Sequence, residues 1–190
     1  MMEHVKIRLA TAQDVAALAQ LEQSQLHDEL TLEQRNNSFS GQSFTQADLT
    51  ELVTKHWVAV AQLNHEIIGY VIAGRWSFFK QWPIYRHLLH CLPSIDYDKA
   101  ALTDKNCCQY GPIWIASAHR GQGLFEALVE CIKQAVAKEL PYMLTFIAED
   151  NQGSFAAHTR KAAMQVVDFI SFDDRDYYLM VVSTSTNSSL

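Results

Sequence analysis

Apolar and polar positions alternate with period two through Val5-Lys6-Ile7-Arg8-Leu9, the pattern of a half-buried strand. The period then lengthens. Thr11-Ala12-Gln13-Asp14 offers an N-cap and a first-turn acid, and Val15, Leu18, Leu21 and Leu26 follow at helical spacing, which predicts a helix over 12–28. Residues 31–45 are polar and read as a mobile loop, with a short helix over 46–55 after it. Apolar runs at 57–61 and 67–73 flank the polar Leu63-Asn64-His65-Glu66 and predict an antiparallel hairpin. From Trp76 to Lys105 the chain is aromatic-rich and punctuated by Pro83 and Pro93, with a short helix over 85–92. Such an insertion is more often local packing than a ligand wall.

A fourth strand ends at Ile113-Trp114-Ile115, and a helix within 121–139 follows, with Leu124, Leu128, Ile132 and Ala135 on one face. Pro141 closes that helix. Residues 142–148 read as a fifth strand and 153–161 as a short helix. Residues 166–172 and 177–182 read as a hairpin turning at Asp173-Asp174-Arg175. The pattern predicts one α/β domain over 1–182, with a mixed, mostly antiparallel sheet of six or seven strands flanked by helices. A Ser/Thr/Asn-rich tail, 183–190, is expected to fray.

Composition narrows the function classes. A chain of 190 residues with 48% hydrophobic positions can bury a full core, which excludes intrinsic disorder. Fifteen Lys and Arg against twenty-one Asp and Glu give a net charge of -6, and no basic run exceeds Arg160-Lys161, so nucleic acid is not the expected partner. No apolar run approaches the roughly 18 residues of a membrane span, and the start of the chain lacks a signal-peptide pattern. Cys91, Cys107, Cys108 and Cys131 form no CxxC, so no metal site or disulfide framework is expected. The expectation is a cytoplasmic protein with reduced thiols and no membrane partner.

The chemistry concentrates between the fourth strand and its helix, at His119-Arg120-Gly121-Gln122-Gly123-Leu124. Two glycines permit a sharp turn and close approach of a ligand. The first-turn N–H groups and the positive end of the helix dipole point into that turn, which suits a pyrophosphate. The dinucleotide fingerprint fails because Glu126 stands where its last glycine belongs, and no G-K-[S/T] occurs anywhere. A phosphate-bearing ligand survives; the two commonest nucleotide sites do not.

The segment Ile115-Ala116-Ser117-Ala118-His119-Arg120-Gly121-Gln122-Gly123-Leu124 resembles motif A of the GNAT superfamily of acyl-CoA-dependent N-acyltransferases, whose signature is [Q/R]-x-x-G-x-[G/A]. Arg120 fills its first position and Gly123 its second, while Phe125 replaces the last small residue. Downstream, Asn151-Gln152-Gly153-Ser154-Phe155-Ala156-Ala157-His158 is similar to the family's N-x-x-[A/S]-x-x-x-[Y/H] stretch. Ala162-Ala163-Met164 stands in for its L-G-F/M, with Ala163 at the usual glycine.

The resemblance implies parallel fourth and fifth strands that splay around acetyl-CoA as acyl donor. Ile113, Trp114 and Ile115 would pair with pantetheine through the strand's backbone. Arg120, Gly121, Gln122, Gly123, Leu124 and Phe125 would hold the pyrophosphate. Asn151 would contact pantetheine, and His158 would serve as the acid at the leaving sulfur. No metal is implied. The partner would be an amine on a small molecule or peptide, and a homodimer stays open. Residues 105–115 hold no Asp or Glu, so the base is not identified; His119, Glu149 and a water relay are the candidates. Tyr110 reads either as a polar wall or as a buried strand tyrosine. A domain that keeps the acyl-CoA site without chemistry is the alternative function.

Overall fold

In the computed structural model, which describes residues 4–28 and 44–185, the alternating segment forms an outer strand, β1 (Lys6–Leu9). It pairs antiparallel with β2 (Trp57–Leu63), Ile7 opposite Ala61. Strand β2 turns at Asn64 into β3 (Glu66–Gly74), as the predicted hairpin requires. The expected fourth strand is β6 (Cys107–Ile115) and the expected fifth is β7 (Tyr142–Ala148). The terminal hairpin is β8 (Gln165–Phe172) and β9 (Arg175–Ser183). Together they make one seven-stranded sheet in the order β1-β2-β3-β6-β7-β9-β8, in which only β6 and β7 run parallel.

Helices cover both faces. Helix α1 (Val15–Asp28) and α2 (Gln46–Lys55) lie on one, together with α3 (Trp76–Phe79) and α4 (Pro83–Cys91) from the aromatic insertion. On the other lies α5 (Leu124–Val136), whose Leu128, Ile132 and Val136 are buried against Ala59, Val71 and Met143. That one amphipathic helix covers this face of the sheet centre follows from its apolar stripe. A single turn, Ala12–Asp14, precedes α1, so the 12–28 prediction holds in two pieces. Asp14 fixes that entry: it accepts from Arg8 Nη1 and Nη2 at 2.7 and 2.8 Å and from the Thr11 N–H at 2.7 Å. This guanidinium fork holds the Asp14 carboxyl below its ordinary range.

Two expectations change. The loop predicted over 31–45 lies outside the described residues up to 43, but Phe44 is buried among Phe78, Phe79 and Trp82. Thr45 is the N-cap of α2, its side chain accepting from Asp48 N–H at 3.1 Å. The insertion also folds further than its pattern suggests, adding α3 and a two-residue hairpin of β4 (Asp96–Tyr97) with β5 (Ala100–Ala101). Its aromatic rings account for both. Trp76, Phe78, Phe79 and Tyr85 are at most 4% exposed, so the insertion is a second layer of core rather than a surface loop.

Candidate active site

The site begins with a defect in the sheet. Strand β6 pairs with β7 only through Cys107↔Tyr142, Cys108↔Met143 and Gln109↔Leu144. Beyond that point β7 stays with β9 as far as Ala148↔Tyr177, while β6 stays with β3 as far as Gly69↔Ile115. The cause is a bulge. Between Tyr110, opposite Ala73, and Ile113, opposite Val71, β6 spends one residue more than β3. Gly111 sits in this bulge at φ +104°, a conformation open to glycine, and Pro112 behind it offers no N–H to either neighbour. A parallel pair without a shared ladder separates, and a cleft of about 430 Å³ opens between the two strands.

The cleft's first wall is an unpaired strand edge. The Ala116 N–H donates to the Ile68 carbonyl at 2.9 Å, so antiparallel alternation turns the backbone of Trp114 toward β3. The backbones of Ile113 and Ile115 therefore face the cleft. Arg120 Nε donates to the Ile115 carbonyl at 2.9 Å, which leaves the Ile113 and Ile115 N–H groups and the Ile113 carbonyl along this edge. An extended chain bearing amides could add there as a strand.

The second wall is the start of α5. Gly121 and Gly123 take φ of +75° and +81°, and a Cβ on either would meet nothing within 4 Å. Gly123 is the N-cap and brings no side chain to the first turn, so the N–H groups of Leu124, Phe125 and Glu126 have no intrahelical partner. Backbone donors, dipole and the adjacent Arg120 converge on open space, an arrangement that fits an anion. Gln122 turns away: its Nε2 donates to the Ala118 carbonyl at 3.3 Å, and its side chain is not in the cleft lining.

Helix α6 (Gln152–Lys161) supplies the third wall. Asn151 is its N-cap, Oδ1 accepting from the Ser154 N–H at 3.1 Å, which leaves the Nδ2 donor toward the cleft. His158, two turns on, is 3% exposed and stands edge-on between Phe125 and Tyr110, with ring centroids 5.0 and 5.5 Å away. Its Nδ1 lies 2.7 Å from the Ser154 carbonyl, an acceptor, so Nδ1 carries the hydrogen and Nε2 the lone pair. Burial lowers the ring's pKa from its ordinary value. Tyr110 is fully buried and its hydroxyl has no partner among the described residues, so both sequence readings of it hold in part.

Every predicted site residue except Gln122 therefore lines one cleft, but Trp114, expected to pair through its backbone, turns that backbone to β3 and can offer only its side chain. Sequence reasoning missed Thr145, Phe146 and Ile147 on β7, and the Lys161–Glu126 ion pair at 3.3 Å that ties α6 to α5 at the rim. The β7 residues carry no signal beyond a strand pattern. The ion pair could have been sought as the charge nearest a phosphate turn. Of the base candidates, His119 lines the cleft, whereas Glu149 is exposed outside it, its N–H donated to the Asp176 carbonyl at 3.0 Å. Elsewhere, Cys91 Sγ lies 3.9 Å from His87 Nε2, but burial and Asp168 push that thiol up, so this pair is no activated nucleophile.

Comparison with known proteins adds to this geometry. The family model described as Acetyltransferase (GNAT) family matches residues 18–163, most of the chain. The chain belongs to the GNAT acetyltransferase family. Solved structures repeat this GNAT fold across nearly their full length. One is yncA of Salmonella typhimurium, solved with its cofactor acetyl-CoA, with a TM-score of 0.63 at 16% identity over 98% of each chain. Another is NAA60 of Arabidopsis thaliana in complex with acetyl-CoA, with a TM-score of 0.62 at 14% identity over 95% of this chain and 99% of that one. An N-acetyltransferase from Staphylococcus aureus Mu50 gives a TM-score of 0.59 at 16% identity over 96% and 99%. Identities this low establish the fold alone. Among curated proteins, no sequence matches.

Proposed function

We propose that this GNAT chain transfers an acetyl group from acetyl-CoA to an amine on a small molecule or peptide. One observation carries the reading: the free edge of β6, the uncapped glycine turn of α5 and His158 all face a single cleft. The residues present fit the donor. The N–H groups of Gly121 through Phe125, with Arg120 beside them, would hold the pyrophosphate. Ile113 and Ile115 would pair with the pantetheine amides through their backbones, and Asn151 Nδ2 would add a donor. Bound there, acetyl-CoA supplies an activated acetyl thioester.

The chain's own residues then have two tasks. The first is to orient the thioester along β6, where backbone N–H groups can polarise its oxygen. The second is to move one proton. The new C–N bond forms as the C–S bond breaks, and a proton passes from nitrogen to sulfur. His158 suits that transfer at Nε2, because Nδ1–H is committed to Ser154 and burial keeps the free ring neutral. As the acid at sulfur it must first gain a proton, and the acceptor nitrogen is the source. The cysteines are free thiols, and no helix among the described residues is long and apolar enough to cross a membrane, in keeping with a cytoplasmic setting.

Thiol release from acetyl-CoA across an amine panel tests the reading. Stoichiometric free CoA and N-acetylated amine are expected. Acetyl-CoA bound without thiol release for any amine would instead assign the chain to acyl-CoA binding without chemistry.

A further inference from the structure

The cleft has two ends of different character. On the face covered by α5 lie Arg120, His119 and the Glu126–Lys161 pair, so the charges gather at the phosphate end. The opposite face is the one covered by the aromatic insertion. There the side chains of Trp114 and Phe146, both partly exposed, flank the splay from β6 and β7. Strand alternation fixes this, because Trp114 points away from its neighbours Ile113 and Ile115, which pack toward α5.

Each of these rings is backed by others. Tyr70 lies 5.9 Å behind Trp114, and Tyr85 and Tyr177 each lie 5.4 Å from Phe146. On this side Arg175, over Tyr177, is paired with Asp150 at 3.0 Å, and the Glu22 carboxylate is buried, accepting from the Tyr70 hydroxyl. Among the described cleft residues the sole carboxylate is Glu126, at the far end and paired with Lys161. Among the described cleft-lining residues, a polyamine or a lysine-rich peptide would find no carboxylate beside the aromatic walls. A ring on a short amine would stack between them with its nitrogen directed at the thioester.

We infer that the acceptor is a primary amine carried on an aromatic body, held between Trp114 and Phe146. The inference rests on acetyl-CoA being the donor, and the test separates the two. Thiol release is measured with 2-phenylethylamine, tryptamine, spermidine and a lysine-containing peptide at saturating acetyl-CoA, with acetyl-CoA affinity followed by calorimetry. The arylalkylamines are expected to show at least tenfold higher kcat/KM than spermidine or the peptide. Trp114→Ala and Phe146→Ala should each raise KM for 2-phenylethylamine tenfold or more with kcat within threefold. Phe146→Leu keeps an apolar side chain but removes the ring, and unchanged acetyl-CoA affinity by calorimetry shows that a raised KM there does not come from misfolding. Preferred turnover of spermidine or the peptide, or an unchanged KM in the Phe146→Leu and Trp114→Ala variants, would overturn the aromatic acceptor while leaving acetyl transfer in place. Acetyl-CoA bound with no amine turned over would remove both.

Discussion

Placing an aspartate at Gly123 puts a charge where the cofactor's pyrophosphate is proposed to sit. Gly123 is the N-cap of α5 at φ +81°, and a Cβ there meets nothing within 4 Å. The fold therefore loses only backbone comfort. A left-handed L-residue costs about 1–2 kcal/mol, and an aspartate cap returns a few tenths of that, roughly. For a chain this long the melting temperature should fall by about 2–6 °C. Binding loses more. Two unit charges about 6 Å apart at an effective dielectric near 40 repel by about 1.4 kcal/mol, and the pyrophosphate carries two, partly screened by salt. The affinity for CoA should fall tenfold or more. Calorimetric titration of Gly123→Asp with CoA reads this directly. Gly123→Asn is the control: it tolerates the left-handed backbone and adds the same bulk and cap without the charge, so its affinity should fall less than that of Gly123→Asp. Undiminished CoA binding by a folded Gly123→Asp variant would refute the assignment of phosphates to this turn.

His158→Phe should keep CoA affinity and lower turnover by on the order of 10²-fold, measured with a working acceptor at saturating acetyl-CoA; a normal rate would leave His158 as packing. Wild-type kcat/KM should fall as pH drops through a value below 6.5, because burial lowers the His158 pKa and the protonated ring cannot take the amine's proton. This acid limb should vanish in His158→Phe. The same burial means that the unfolded imidazole protonates first, so acidification below about 6.5 should also erode stability. Asp14→Asn should cost about 1–2 kcal/mol by chemical denaturation, since it removes the charge from a partly buried fork while Arg8 keeps Gln62 and the Leu9 carbonyl as acceptors. In the wild type the Asp14 contribution is present above the ordinary carboxylate range and should be lost as pH falls through its lowered folded value.

Much of this site was legible because it depends on short-range chemistry. Gly121 and Gly123 announce positive φ at a strand-to-helix turn, and the structure gives both. Asn151 and His158, seven residues apart, announce one helix face, and both line the cleft. Ala163 stands where the motif has a glycine and takes φ +53°, with the Met164 N–H closing on the His158 carbonyl at 3.0 Å. What stayed hidden depends on long-range packing. The period of β6 gives no sign of which strand it will leave, and the bulge at Gly111 is defined only against Ala73 and Val71 on β3. The role of Phe125 was hidden likewise. In the signature it reads as a departure from a small residue, whereas in the fold its ring holds the edge of His158. The insertion's aromatic residues signalled packing correctly, but not that Phe146 and Trp114 would remain partly exposed at the splay.

The most direct measurement is a crystal structure of the chain with CoA bound. The account predicts the pyrophosphate on the N–H groups of Gly121 through Phe125 and the pantetheine amides paired with Ile113 and Ile115. It also predicts the thiol between β6 and β7 within hydrogen-bonding reach of His158 Nε2. CoA seated with its sulfur away from His158, or with its phosphates off the start of α5, would contradict it.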